Sequence, residues 1–116
     1  MNITFEDNQI LLSEFNIAFK HHSIGELSKA EIIYKKILKK QPHHFDTLRH
    51  LGILYQEKKL FDIAEKFFLK AYNIHSNESS ILNNLGTIKF LQFKMDDALN
   101  FYIKAFKINP RYIPVI

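Results

Sequence analysis

The feature that most constrains the fold is a pattern of apolar and small residues that recurs at a fixed spacing along the chain. Its members in the middle of the chain are Leu48, Leu51, Gly52, Ala64, Phe67 and Ala71, and they return as Leu82, Leu85, Gly86, Ala98, Phe101 and Ala105. Each member of the second set follows its counterpart by 34 residues. A fixed period of this length is typical of repeat proteins, in which each unit buries its apolar face only against its neighbours. The sequence therefore predicts a stack of similar units.

Each unit is predicted to be helical. Only three glycines and three prolines occur, and between them apolar residues recur at spacings of three and four, which favours helices and no strand. Thr4 and Asp7 resemble a capping box that opens a first helix running to about His22, and Gly25 then breaks that helix. A second helix follows and ends before Pro42, because proline lacks the amide that would continue it.

Four further helices are predicted, at roughly 45–58, 61–74, 79–91 and 95–108, with Asn77 as the cap of the helix that begins at 79. Because the connections are short, consecutive helices must pair as three antiparallel hairpins, and the fold class is all-α. The predicted divisions are a lead-in at 1–10, repeats at 11–44, 45–78 and 79–112, and the start of a truncated fourth unit or a tail at 113–116.

Composition narrows the function. The chain has no cysteine, so it offers neither disulfides nor a thiolate metal site. Neither a secretory signal nor an apolar run long enough to span a membrane is visible, so we expect a soluble, cytoplasmic protein. The net charge is +4, but the 16 basic and 12 acidic side chains are interspersed, which indicates a solvated surface rather than a steering field.

No catalytic, cofactor or metal motif is present. A glycine-rich phosphate loop, a G-x-S-x-G elbow and H-E-x-x-H are all absent, so we predict no enzymatic activity and no cofactor. The histidines include two adjacent pairs, whose side chains would diverge on a helix, so no metal site is predicted. Lys36, Lys70 and Lys104 form a row on the second helices that we interpret as a solvated face, not as a specific nucleic-acid site.

The order of residues within the repeats resembles a known family. The 45–78 unit supplies Leu48, Leu51, Gly52, Tyr55, Ala64, Phe68 and Ala71, and the 79–112 unit supplies Leu82, Leu85, Gly86, Ala98, Tyr102, Ala105 and Pro110. This order resembles the tetratricopeptide repeat, with Ser76 in place of one proline and Lys89 in place of one tyrosine. The resemblance implies a right-handed α-solenoid that serves as a protein-interaction scaffold.

The small residues in this pattern have a packing role. Gly52 and Gly86 lie on the first helices of their hairpins, where a missing side chain lets two helix axes approach closely. We expect Phe68, Tyr102 and Tyr34 to fill the space between successive hairpins, since an aromatic ring buries a large apolar area.

The resemblance further implies that the first helix of each hairpin lines a concave groove that holds a protein or peptide partner. The candidate groove residues are Asn16, Phe19, Arg49, His50, Ile53, Asn83, Asn84 and Thr87. Asn16, His50 and Asn84 share one position of the repeat, and this column is similar to the asparagine ladder of some family members, whose amides pair with a peptide backbone. Alternatively, the two asparagines are solvated or bond locally.

A second binding mode of the family, the carboxylate clamp, needs Lys and Asn at the fifth and ninth positions of one unit. Here those positions hold Arg49 and Ile53 in the 45–78 unit, so we do not predict binding of an acidic chaperone tail.

Two questions stay open at the level of sequence. The module could act alone as a scaffold, or it could be the substrate-recruiting N-terminal arm of a larger glycosyl, sulfo or methyl transferase. The chain also ends in apolar Ile113, Val115 and Ile116 without a polar capping helix. We therefore expect a fragment of a longer protein, or an open end covered by self-association or by a partner.

Overall fold

The computed structural model describes residues 3–111, and the regular structure within them is entirely α-helical. The helices are α1 (Phe5–Ser23), α2 (Leu27–Lys40), α3 (Phe45–Glu57), α4 (Phe61–Ile74), α5 (Ser79–Leu91) and α6 (Met95–Ile108). The predicted all-α stack of three hairpins is confirmed. The predicted tail at 113–116 lies outside the described residues.

Each hairpin pairs an odd-numbered helix with the even-numbered helix that follows it, and successive hairpins join through α2 with α3 and α4 with α5. The core runs through all three hairpins as one continuous cluster. Its fully buried large side chains include Tyr34, Leu51, Leu54, Phe68, Ile81, Leu85 and Ile88. Within residues 3–111, none of the helices has the length and apolar character needed to cross a bilayer.

The helix starts differ in how they satisfy their free amides. The Thr4 hydroxyl accepts a hydrogen bond from the Asp7 amide at 3.0 Å, as the sequence predicts. Before α3, the His44 ring accepts from the Thr47 amide at 3.3 Å. The predicted Asn77 cap is wrong, because Glu78 is the residue that precedes α5, and its side chain makes no capping hydrogen bond.

The turn inside each hairpin repeats one backbone conformation. Gly25, Lys59 and Phe93 occupy the same position of successive repeats and have φ values of 86°, 63° and 62°. After each of them the next amide donates to the carbonyl five residues earlier, in the pairs Glu26 with His21, Leu60 with Tyr55 and Lys94 with Lys89. Only Gly25 adopts this left-handed conformation without a steric penalty, so Lys59 and Phe93 are strained at equivalent positions.

In each of the last two hairpins, a glycine of the first helix lies against an aromatic ring of the second helix. A methyl group added to Gly52 would lie closer than 3.0 Å to the Phe68 ring, and one added to Gly86 would meet the Tyr102 ring equally closely. Phe68 and Tyr102 thus lie against the glycine of their own hairpin. The Tyr34 ring also reaches the next hairpin, with its centroid 6.2 Å from that of His50.

A carboxylate joins each of the first two hairpins to the next. Glu31 of α2 accepts from the Tyr55 hydroxyl at 2.5 Å and from Lys58 at 2.8 Å. Burial alone would raise the pKa of Glu31, but hydrogen bonds from Lys35, Lys58 and Tyr55 outweigh it and lower that pKa to about 2. The carboxylate is therefore ionised throughout the physiological pH range.

The second junction repeats this arrangement at the equivalent position of the next unit. Glu65 of α4 accepts from Lys89 at 2.6 Å and from Gln92 at 2.9 Å. Burial again opposes ionisation, and the two hydrogen bonds outweigh it, so the pKa of Glu65 is lowered. Tyr55 and Lys89 occupy the same position of the repeat, so chemically different donors serve one acceptor.

Candidate interaction surface

The first helices of the three hairpins contact one another through side chains on one surface. Between α1 and α3, the His50 ring lies edge-on to Phe15 and Phe19, with ring centroids 5.1 and 5.5 Å apart. Between α3 and α5, Arg49 Nη1 donates to Asn84 Oδ1 at 3.1 Å. Residues that the sequence assigns to a groove thus bridge α1, α3 and α5.

A cleft between α1 and α3 brings together three of the predicted groove residues, Phe19, His50 and Ile53. We call it the histidine pocket; its lining is Phe19, His22, Ser23, Gly25, His50, Ile53 and Glu57, and its volume is about 450 Å³. Phe19 keeps 41% of its surface exposed, so its ring is available to a partner. The pocket therefore combines apolar and polar side chains.

His50 is held as a neutral ring. Its Nδ1 lies 2.7 Å from the Asp46 carbonyl oxygen, which can only accept, so Nδ1 carries the proton. Burial lowers the pKa of His50 to about 4, and the positive charge of Arg49 lowers it further. The hydrogen bond to Asp46 acts in the opposite direction but is the weaker effect. At neutral pH, Nε2 therefore presents a lone pair that can accept a hydrogen bond from a partner.

His22 lines the pocket but is not among the candidate groove residues. Its Nδ1 lies 3.2 Å from the Tyr34 hydroxyl, and its Nε2 lies 3.1 Å from a carboxylate oxygen of Glu57. Burial and the charge of Glu57 raise the pKa of Tyr34 to about 12, so its hydroxyl stays protonated. The repeat numbering offered a signal for this link, because His22 is the twelfth residue of the first repeat and Glu57 the thirteenth of the second, so both lie near the ends of adjacent first helices.

A second cluster lies where α3 meets α5. We call Arg49, Asn83 and Asn84 the amide patch. Asn83 is 5% exposed, and its Nδ2 has no hydrogen-bond partner among the described residues. The same is true of Arg49 Nε. Two buried donors without acceptors are uncommon in folded proteins.

The remaining candidates lie elsewhere. Asn16 is exposed in a separate depression whose lining is Gln9, Leu12, Ser13, Asn16, Ile17 and Lys20, so it does not join the histidine pocket. Thr87 is 6% exposed, and its hydroxyl lies 2.9 Å from the Tyr102 hydroxyl. The column of Asn16, His50 and Asn84 is thus divided among three different environments.

The structure offers no metal-binding group in the part of the chain that it describes: residues 3–111 contain no cluster of three His, Cys, Asp or Glu side chains placed to hold an ion. The chemistry that the described side chains offer on this surface is that of apolar contact and hydrogen bonding.

Comparison with known proteins identifies the repeat. A family model for the tetratricopeptide repeat matches residues 79–109, which is the third hairpin. This hairpin therefore matches the tetratricopeptide repeat, and the stack of three hairpins has the fold that the sequence resemblance implies.

Solved structures share this tetratricopeptide-repeat fold. An O-GlcNAc transferase mutant of Thermobaculum terrenum matches with a TM-score of 0.89 and 20% identity, over 95% of this chain and 21% of the transferase. The first repeat domain of Spaghetti (RPAP3), bound to an HSP90 peptide, matches with a TM-score of 0.85 and 19% identity, over 91% of this chain and 84% of that one.

A third similar structure is SycD, the type III secretion translocator chaperone of Yersinia enterocolitica. It matches with a TM-score of 0.82 and 13% identity, over 89% of this chain and 78% of SycD. Another SycD structure contains a peptide of the translocator YopD. At these identities the likeness shows a common tetratricopeptide-repeat fold, and the chain spans only about a fifth of the transferase that it matches.

Proposed function

We propose that the chain is a protein-interaction module that holds a peptide segment of its partner on the surface formed by α1, α3 and α5. The partner lies across the histidine pocket and the amide patch. The module itself performs no chemistry on its partner.

The histidine pocket supplies the apolar part of this interaction. Phe19 and Ile53 present apolar surface beside the neutral His50 ring. An aliphatic or aromatic side chain of the partner would bury area against them, and burial of one such side chain typically contributes about 1.5–3 kcal/mol. His50 Nε2 would accept a hydrogen bond from an N–H or O–H group of the same segment.

The observation that carries the proposal is the histidine pocket, in which Phe19 keeps 41% of its surface exposed. The amide patch adds two donors without acceptors, Arg49 Nε and Asn83 Nδ2, and both atoms are buried in the unbound chain. A carbonyl oxygen of an extended peptide would accept from them, whatever the peptide sequence, once the side chains above them shift. Asn84 already accepts from Arg49 and fixes the guanidinium in place. The patch thus provides backbone recognition, and the pocket provides side-chain selectivity.

Two structures of the same fold support a peptide partner, since the RPAP3 domain holds an HSP90 peptide and SycD holds a YopD peptide. Our proposal differs from binding of an acidic tail. The α3 positions that would need Lys and Asn hold Arg49 and Ile53, and Ile53 belongs to the apolar pocket.

Selection from a random peptide library tests the proposal. We expect the chain to enrich peptides with one apolar anchor residue, and the Phe19→Ala variant to bind them about tenfold more weakly, because it removes one wall of the pocket. Arg49→Ala should weaken the same peptides independently of their sequence. Fluorescence anisotropy with the enriched peptides measures both effects.

Asn73→Ala is the matched control, because Asn73 is an exposed residue of α4, outside both clusters. It should leave binding unchanged, and circular dichroism should show equal helix content in all variants. Absence of enrichment, or enriched peptides whose binding is insensitive to Phe19→Ala and Arg49→Ala alike, would refute the proposal.

A second candidate function is a substrate-recruiting arm of a larger transferase. The observation that favours it is the match to the Thermobaculum terrenum enzyme over nearly the whole of this chain. Sequencing the reading frame beyond Ile116 distinguishes the two candidates. A glycine-rich nucleotide-binding fingerprint downstream would support the arm, and a stop codon or further repeats would support the independent scaffold.

A further inference from the structure

The helix that supplies Arg49 and His50 to the candidate surface is capped by a histidine. His44 immediately precedes α3, and its backbone has the extended conformation of a capping residue. His44 Nδ1 lies 3.3 Å from the Thr47 amide nitrogen and 2.7 Å from the Thr47 hydroxyl. A backbone N–H group can only donate, so Nδ1 is the acceptor and carries no proton. The side chain therefore caps α3 only while the ring is neutral.

This cap differs from the other helix starts in its chemistry. Within residues 3–111, Thr4 and His44 are the two residues whose side chains cap a helix. A threonine hydroxyl does not titrate in this range, whereas histidine changes its charge between about pH 5 and pH 8. Glu78, which occupies the position of His44 in the next repeat, makes no capping hydrogen bond. A titrating cap is thus a property of this junction and not of the repeat.

The His44 ring also contacts the first hairpin. It is partly buried, and its centroid lies 6.0 Å from that of Phe15 on α1 in an edge-on arrangement. Phe15 also lies edge-on to His50, with centroids 5.1 Å apart. A single aromatic ring of α1 therefore contacts both the cap of α3 and a histidine of the candidate surface.

The groups around His44 leave its charge poorly compensated. The titratable side chains that share a cleft with His44 are His43, Asp46, His75 and Glu78. Glu14, next to Phe15 on α1, and Lys40, at the end of α2, are paired with each other at 2.9 Å. Burial lowers the pKa of His44 below its ordinary value of 6.5, and the charge of Asp46 opposes this shift less strongly.

The direction of the pH effect follows from this preference for the neutral ring. The contribution of His44 to stability is complete above pH 6.5 and is lost as the pH falls from there through the lowered pKa. A protonated ring has no acceptor for the Thr47 amide. It also places a positive charge beside the positive end of the α3 dipole, which is unfavourable. Acid therefore favours a state in which the ring has left the cap.

We propose that His44 is a pH-sensitive cap that holds the first turn of α3 against α1 at neutral pH and releases it on acidification, which weakens binding of the partner. Only the last step, the effect on binding, rests on the proposed function. The regulated surface is the one formed by α1, α3 and α5.

Urea unfolding of the full chain at pH 7.5 and pH 5 tests the cap. Asparagine also caps helices but does not titrate, so His44→Asn keeps an acceptor at both pH values. The urea midpoint of the wild type should fall by about 0.5 M more than that of His44→Asn. Loss of the ring contact with Phe15 displaces the variant equally at both pH values. The other titratable groups are common to both proteins, so the difference isolates His44.

His43→Asn is the matched control, because His43 is an exposed residue of the same connection. Its midpoint should change with pH as that of the wild type does. Hydrogen exchange at the Thr47 amide, corrected for its intrinsic pH dependence, gives a second measurement. Its protection should fall on acidification in the wild type and not in His44→Asn. Midpoints that fall equally in the wild type and His44→Asn, or unchanged protection of Thr47, would overturn the proposal.

The effect on binding is measured by anisotropy with a peptide enriched from the library. Between pH 7.5 and pH 5 the affinity of the wild type should fall about threefold more than that of His44→Asn. Parallel affinities despite different midpoints would overturn the link between the cap and the partner. If no peptide is enriched, the proposed function fails, and the urea comparison still decides whether His44 is a pH-sensitive cap.

Discussion

The middle and third hairpins use the same packing scheme in unequal surroundings. In the middle hairpin the Phe68 ring lies against Gly52 and is fully buried, whereas in the third hairpin the Tyr102 ring lies against Gly86 and remains partly exposed. The middle hairpin is packed between two neighbours, while the described part of the third packs against only one. The two hairpins therefore have the same internal contact, but we expect them to differ in rigidity because they differ in how many neighbours pack against them.

The same comparison extends to the junctions between hairpins. Glu65 of the middle hairpin binds donors from the third, while Leu99 at the equivalent position is exposed. In a stack of repeats each hairpin is stabilised chiefly by its nearest neighbours. The two hairpins share the same internal contacts but differ in how many neighbours pack against them. The same substitution made at equivalent positions of both hairpins should therefore show how much of its effect on stability comes from the neighbours.

The largest difference should come from the two glycines. Alanine is a better helix former than glycine by about 1 kcal/mol, but the added methyl group collides with a ring at both sites. Phe68 cannot move away, so overpacking should dominate and Gly52→Ala should lower the free energy of unfolding by about 2 kcal/mol. Tyr102 can turn towards solvent, so Gly86→Ala should change stability by less than about 1 kcal/mol. Urea denaturation measures both values.

A double variant tests whether the collision is the cause. Gly52→Ala combined with Phe68→Leu should be more stable than the sum of the two single effects implies, because the smaller side chain makes room for the methyl group. Additive effects, or equal losses at Gly52 and Gly86, would show that enclosure by neighbours does not set rigidity in this stack.

A smaller effect should follow from the carboxylate of the first junction. Glu31→Gln keeps the shape but removes the charge that three donors stabilise, so we expect a loss of about 1 to 2 kcal/mol at pH 7. Because the pKa of Glu31 is lowered from 4.5 to about 2 by folding, its contribution is complete above pH 4.5 and disappears as the pH falls through 2.

The measurement is thermal unfolding of the wild type and Glu31→Gln between pH 7 and pH 2. The two stability curves should converge at the acid end. Leu99→Gln is a matched change at the equivalent position of the third hairpin, and it should give a difference from wild type that does not depend on pH over this range. A constant gap between wild type and Glu31→Gln would contradict the prediction.

The smallest effect concerns the turns. Phe93 has a φ of 62° and is 86% exposed, so Phe93→Gly relieves backbone strain and loses little burial. Against this, glycine gains freedom in the unfolded chain, and the net stabilisation should be about 0.5–1 kcal/mol. Lys59→Gly should gain a similar amount, and Gly25→Ala should lose stability. Chemical denaturation of the three variants measures these changes. A loss of stability in Phe93→Gly or Lys59→Gly, or a gain in Gly25→Ala, would contradict the prediction.

Much of the fold was predictable because its signal is periodic. The constant repeat spacing, the apolar spacing within helices and the breaks at Gly25 and Pro42 locate all six helices, and Thr4 identifies the first cap. Asn77 misled because a cap depends on which residue adopts the extended backbone before the helix, and that residue is Glu78. The sequence showed that Gly52 and Gly86 mark places where two helices approach closely. It did not show that each glycine lies against an aromatic ring of its own hairpin.

The candidate site was less predictable, because its chemistry depends on contacts between repeats. The sequence grouped Asn16, His50 and Asn84 because they share one position of the repeat. In the structure, the His50 ring packs against aromatic rings, and the Asn84 side chain accepts a hydrogen bond from Arg49. His50 is partly buried, and the environment that lowers its pKa arises from residues on other helices that pack around it. No pattern within one repeat contains that information.

The sequence by itself determined that this chain is a stack of helical hairpins, since a period and a residue size pattern are local properties that survive in any context. Only the tertiary structure decided which donors are left without acceptors and which faces stay exposed. Those outcomes depend on the side chains that neighbouring hairpins bring together, such as Tyr55 or Lys89 against a glutamate. The exposed Leu99 acquires its meaning only from that comparison.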